Sequence, residues 1–329
     1  MSPEKERDQM KKTLLIIGKV VLGLLILFAI FLILMMIYNQ IMLKKNKDLY
    51  ETPLGLLVEV DGHNMSIYTE GAGEHTIVFM SGWGTASPIL DFKPLYSRLS
   101  DQYRIVVVEK FGYGFSDIVG GERSFDTILR QDREALEKAG IKAPYVLCAH
   151  SYSGYEATLW AQKYPDEVEA IVGLDMCTAN SKSEEMYKKE KESMKFSVVY
   201  GKFVKATGLL RFWSLDKSGT LSEEENKILT EIYCHKLLNG TLMNENDQDI
   251  ERAVNTEINS APLPTVPMLM YLSIESMQSG ESWENGAQVM VNASENGQLI
   301  KLDCGHYVHD YEYERISTDM KAFIDNLNH

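Results

Sequence analysis

Several things are scarce in this 329-residue chain, and each scarcity removes a class of function. There are four cysteines, Cys148, Cys177, Cys234 and Cys304, with no C-x-x-C or histidine-paired spacing. That spacing excludes a zinc-ribbon reading, and the even count permits disulfides without requiring them. Basic residues are outnumbered, 33 Lys+Arg against 47 Asp+Glu, for a net charge of −14. No basic face offsets that surplus, so a nucleic-acid partner is not expected and solubility is its simplest use. Internal repeats are absent. A 45% hydrophobic and 24% charged composition is ordinary for a globular protein, and it argues against disorder.

The exception to an ordinary profile is the amino end. Residues 20–38 carry no charge, and apolar residues flank them over 13–43. A helix rises about 1.5 Å per residue, so this run spans a hydrocarbon core of roughly 30 Å. A cleaved signal peptide has a shorter apolar region and a small-x-small exit, and Ile37-Tyr38-Asn39-Gln40 offers none. We expect a tail over 1–12, a single membrane-spanning anchor over 13–43 that contacts the lipid bilayer, and a polar linker over 44–55. Lys5, Arg7, Lys11, Lys12 and Lys19 precede the run, while Lys44, Lys45 and Lys47 follow it. This bias puts the amino end in the cytoplasm and the globular part outside it.

Beyond the linker, short apolar runs alternate with helical patterns. Strands are expected at 56–60 and 63–68 around the turn Asp61-Gly62, then at 76–80, 103–109, 145–148, 168–174, 267–272 and 298–302. Helices are expected at 92–99, 124–139, 152–163 and 316–327. Alternation of this kind predicts an α/β fold with a mostly parallel sheet covered on both faces. Residues 178–262 interrupt it with charged, helical sequence, too long for a structureless loop. They are expected to form a helical cap between two parts of one core, 56–177 and 263–329. Phe196, Tyr200, Phe203, Leu209, Leu210, Phe212 and Trp213 are its apolar residues, expected to pack the cap onto the core or to line a substrate cleft.

At the end of one strand stands Val146-Leu147-Cys148-Ala149-His150-Ser151-Tyr152-Ser153-Gly154. A serine between small residues on a sharp strand-to-helix turn points its oxygen into open space, with backbone amides facing the same spot. The stretch resembles the nucleophile elbow of a serine hydrolase, although Ala149 and Ser153 stand where G-x-S-x-G has glycines. Together with the element order, it makes residues 56–329 resemble the α/β-hydrolase fold, in particular its cap-bearing branch of proline iminopeptidases and esterases.

That resemblance implies roles for further residues. Ser81-Gly82-Trp83-Gly84 stands where the family shows His-Gly-x-Gly, and the backbone amides of Trp83 and Tyr152 are the implied oxyanion donors. Gly112-Tyr113-Gly114-Phe115-Ser116-Asp117 resembles the family's G-x-G-x-S-D loop, with a structural role. Gly305-His306 after the last strand matches the family's histidine, the base a serine hydroxyl needs near neutral pH. His309 competes with it, while His150 is expected to pack. For the acid, Asp175 at the end of one strand is favoured over Glu275 after the next; both satisfy the order serine, acid, histidine.

The expected function is a membrane-anchored serine hydrolase acting on a small ester, amide or short peptide, with no metal and no cofactor. A noncatalytic binding protein of the same fold and an acyltransferase using the same acyl-enzyme chemistry are the alternatives.

Overall fold

The computed structural model describes residues 3–179 and 181–327. Eight strands form one sheet in the order β1-β2-β4-β3-β5-β6-β7-β8. Its centre is built from Thr76–Met80 (β3), Arg104–Glu109 (β4), Tyr145–His150 (β5), Val168–Leu174 (β6) and Met268–Ser273 (β7), whose residues are nearly all buried. Strands buried on both faces carry unbroken apolar runs, and these five pair in parallel. The edges differ. Leu56–Val60 (β1) and His63–Glu70 (β2) form an antiparallel hairpin, and Gly297–Leu302 (β8) closes the far side in parallel. Asp61 and Gly62 both take positive φ, 52° and 76°, as a two-residue hairpin turn demands.

Alternate residues of each strand feed two cores. Val78 and Met80 face one, with Leu129 and Leu136 of Phe125–Lys138 (α3), Leu159 and Trp160 of Ser153–Lys163 (α4), and Met290 of Glu281–Ala293 (α10). Ile77 and Phe79 face the other, with Ile316, Met320 and Phe323 of Tyr313–Asp325 (α11). The helix expected over 92–99 is instead two short ones, Pro88–Asp91 and Lys93–Tyr96. Proline stands first in one and second in the other, and a residue lacking N–H suits a helix start better than its interior.

Between β6 and β7 lie Glu184–Thr207 (α5), a 3-10 turn at Leu209–Phe212, Glu223–Lys236 (α6), Gly240–Glu245 (α7) and Gln248–Asn259 (α8). Ser183, Ser222, Asn239 and Asp247 cap the four helices with their side chains, satisfying amide donors that a helix start leaves open.

The first helix, Pro3–Lys45 (α1), is longer than the 13–43 expected, because the charged residues before it continue the same turns. It is long and apolar enough to cross a membrane, and none of its most apolar stretch is buried in the protein. Its carboxyl end is not free. Asn39 donates to the Lys205 carbonyl at 2.9 Å and accepts from Arg211 Nε at 2.9 Å. Asn46 and Arg211 both bond Glu231. The segment expected as linker, 44–55, contains a short helix, Asp48–Glu51 (α2), whose Tyr50 ring stacks on His235 at 4.5 Å. Asn46, Leu49 and Tyr50 therefore fasten the middle of this segment to the globular body.

Candidate active site

Ser151 is the first residue after β5 and has φ of 53°. A side chain in this left-handed region costs roughly 1–2 kcal/mol, so neighbours must hold it. The Cys177 and Gly154 N–H groups both donate to the Ser151 carbonyl, at 2.7 and 3.0 Å. Ser153, at the place of a usual glycine, donates its hydroxyl to the carbonyls of Met80 (2.7 Å) and His150 (2.9 Å). That bonding lets a buried polar side chain occupy the turn. The glycine appears one residue later because a Cβ on Gly154 would stand 2.2 Å from the Cys177 carbonyl oxygen.

His306 comes from the loop after β8. Its Nε2 lies 2.8 Å from Ser151 Oγ, and its Nδ1 lies 2.6 Å from Asp175 Oδ2. Asp175 follows β6 and is fully buried. Its Oδ2 also accepts from the hydroxyls of Ser273 and Ser276, both at 2.6 Å, and its Oδ1 accepts the Ser273 N–H at 3.0 Å. Glu275 sits in Ile274–Ser279 (α9) and turns its Oε2 to the backbone N–H of His306 at 2.8 Å. It steadies the loop, while Asp175 meets the ring.

Ser273 and Ser276 were not singled out from sequence. The available signal was an N-cap, since the Ser276 N–H donates to Ser273 Oγ, and N-cap serines are too common to mark a site.

Two other histidines lie near the site and have different partners. His150 packs beneath His306, with ring centroids 4.9 Å apart and its Nε2 3.3 Å from the His306 carbonyl. Burial, then the neighbouring His309 and His306, depress its pKa well below the usual range and keep it neutral. His309 is fully buried in the short helix Val308–Tyr311, where its Nε2 bonds Asp91 Oδ2 at 2.8 Å. Asp91, His309 and Asp310 bring ligand-type atoms within 4.8 Å of one another. Burial, then Asp91, push the Asp310 carboxyl up to about 7.

The loop after β3 crosses directly over the serine. A Cβ on Gly82 would lie 2.7 Å from Ser151 Cβ, so only glycine allows this approach. Trp83 follows on that loop, and Tyr152 precedes α4. Among the described residues, neither backbone amide has a hydrogen-bond acceptor in the protein. Their side chains reach upward: Trp83 Nε1 donates to the Leu242 carbonyl at 2.7 Å, and Tyr152 Oη to that of Glu245 at 3.4 Å. The same inserted helix, α7, reaches below. Lys110, buried at the end of β4, binds Glu245 Oε1 and the Ser81 carbonyl, each at 3.2 Å. Burial alone would lower the Lys110 pKa, but Glu245, Glu156 and Asp132 outweigh it and raise it. The loop 112–117 is tied to β2: Ser116 Oγ accepts the Ser66 N–H at 2.7 Å, and Asp117 accepts the Asn64 N–H at 2.8 Å.

A sequence-family model described as alpha/beta hydrolase fold matches residues 75–211. The chain is 47% identical over 140 residues to the uncharacterized protein YbdG of Bacillus subtilis, a stretch covering 43% of each protein. It is 33% identical over 104 residues to a pimeloyl-[acyl-carrier protein] methyl ester esterase of Aliivibrio salmonicida, covering 32% of this chain and 36% of that one. The aligned stretches thus span less than half the length of these curated relatives. Among solved structures, a membrane phospholipase A described as a bacterial virulence factor superposes with TM-score 0.62 at 17% identity, covering 94% of this chain and 99% of that one. With the sheet order and the strand-end loops described above, these likenesses identify the chain as a protein of the α/β-hydrolase fold.

Proposed function

We propose that this protein is a membrane-anchored serine hydrolase in which Ser151, His306 and Asp175 form the catalytic triad. One observation carries the reading: a single imidazole within hydrogen-bond reach of a strand-end hydroxyl on one side and a buried carboxylate on the other. His306 Nε2 takes the Ser151 proton as Oγ bonds the acyl carbon. The carbonyl electron pair moves onto oxygen, and the Trp83 and Tyr152 amides receive that charge. Such preorganised donors lower a barrier by about 3–4 kcal/mol each. Collapse expels the alcohol or amine, protonated by His306, and water then releases the acid by the same steps in reverse. Asp175 holds the Nδ1–H tautomer and stabilises the imidazolium.

The substrate class is an ester, amide or short peptide bond, and the likeness to a methyl ester esterase favours an ester. Residues 178–262 act as a cap over the core 56–177 and 263–329. The anchor is the apolar part of α1, residues 13–43, with the amino end cytoplasmic and the catalytic domain outside. The hydrogen bonds of Asn39 with the cap support a retained helix, because cleavage after the apolar run would discard them. The test is ester hydrolysis by Ser151→Ala: turnover falls at least 10³-fold with an unchanged thermal midpoint. Residual turnover within tenfold of wild type would refute the role of Ser151.

A further inference from the structure

Among the described residues outside α1, fourteen large apolar ones are exposed, and six of them belong to one short stretch: Phe196, Val199, Tyr200, Phe203, Phe212 and Trp213. The five aromatic residues among them were expected to pack the cap inward or line a cleft; instead Phe196 is 73% exposed, Phe212 66% and Trp213 45%. Phe196, Val199, Tyr200 and Phe203 recur at i, i+3, i+4 and i+7, so they share one face of α5. The rings form a continuous surface: Phe196 stacks on Tyr200 at 6.1 Å, and Tyr200 on Trp213 at 6.4 Å. A contiguous patch of this kind on a soluble surface marks an interaction site.

Two observations identify its occupant. The first is continuity with α1. Asn39, close to the carboxyl end of the uncharged run, bonds the carbonyl of Lys205 and the guanidinium of Arg211. Phe203 stands two residues before Lys205, and Phe212 and Trp213 directly follow Arg211. The aromatic face therefore begins where α1 leaves its apolar stretch, the level at which tryptophan and tyrosine concentrate at a membrane surface. The second is charge. In a chain of net −14, residues 193–215 contain Lys195, Lys202, Lys205 and Arg211 and no carboxylate side chain. Lys188, Lys191, Lys195 and Lys202 are exposed along the same helix. Aromatic residues flanked by lysines suit the headgroup region of an anionic bilayer.

We infer that the α5 face and the Phe212-Trp213 turn rest in the headgroup layer of the membrane that α1 enters, so that the cap, and not the anchor alone, touches lipid. This rests on the anchor reading of α1. The test uses the full chain in phosphatidylglycerol/phosphatidylethanolamine vesicles whose acyl chains are brominated near the carbonyl, with tryptophan emission as readout. Trp160 and Trp283 are buried and Trp83 half-buried. Brominated lipid is expected to quench wild-type emission and to leave Trp213→Phe unquenched. Lys195→Glu/Lys202→Glu is expected to reduce the quenching in phosphatidylglycerol vesicles but not in phosphatidylcholine. Equal quenching of wild type and Trp213→Phe would overturn the proposal. So would a Phe203→Cys variant that forms disulfide dimers while Trp213 stays unquenched, since a second copy would then cover the face. Alkaline carbonate separates the two readings. Protein stripped from the vesicles sinks the anchor and this proposal together; protein that stays embedded with Trp213 unquenched sinks this proposal alone.

Discussion

Replacing Asp175 by Asn should disable the enzyme through the direction of a single amide. The pocket around this side chain is asymmetric. At Oδ1 it meets a backbone donor that cannot turn, the Ser273 N–H at 3.0 Å. At Oδ2 it meets two hydroxyls and the His306 ring. If the new NH2 faced Ser273 N–H, two donors would oppose each other in a buried site, at about 1–3 kcal/mol. The hydroxyls can rotate to accept, so the NH2 takes the Oδ2 place and points at His306. Nδ1 must then accept, the ring proton moves to Nε2, and the imidazole cannot take the Ser151 proton. Loss of the correct tautomer at a triad lowers kcat by ~10⁴-fold, about 5 kcal/mol in the barrier. Glu275→Gln keeps an oxygen for the His306 N–H, so it should cost less than tenfold. Steady-state hydrolysis of a p-nitrophenyl ester by both variants measures the contrast. An Asp175→Asn enzyme within tenfold of wild type, or a larger loss in Glu275→Gln, would refute the reasoning.

Two further outcomes are expected. Gly82→Ala should lower kcat by at least tenfold in the same ester assay, because the new methyl must displace either the Ser151 side chain or the loop carrying Trp83; unchanged kcat would mean that the loop adapts freely. Stability should depend on pH through Glu109, whose carboxyl burial raises from 4.5 to about 7. The folded state then holds a proton that the unfolded state releases, so stability falls as pH rises from about 4.5 to about 7, by at most about 3 kcal/mol. Glu109→Gln should flatten the decline in thermal midpoint over that range, and parallel curves would count against it.

The fold and the ends of its strands were legible because both leave marks in local sequence. Unbroken apolar runs such as residues 76–80 give buried strands, and a serine directly after such a run, or a histidine in the loop after a strand, has one edge of the sheet to stand on. The choice between Asp175 and Glu275 was not legible, since both follow a strand. It depends on how α9 turns Glu275 toward the His306 backbone. The Lys110–Glu245 pair joins residues 135 positions apart, and no local pattern announces it. The cap aromatics misled for another reason: Phe196 and Phe212 carry the same apolar signal whether they face a core or the solvent. The linker expected over 44–55 looked polar because Asn46 and Tyr50 make their packing contacts through polar atoms and a stacked ring face, with Glu231, Leu43 and His235.

In the proposed triad, His306 makes the Ser151 hydroxyl nucleophilic. Incubating the folded full-length protein with a fluorophosphonate, then mapping the adduct by peptide mass, tests it most directly. A single phosphonylated residue, Ser151, and loss of labelling in His306→Ala are expected. A folded protein that stays unlabelled, or one labelled equally fast without His306, would contradict it.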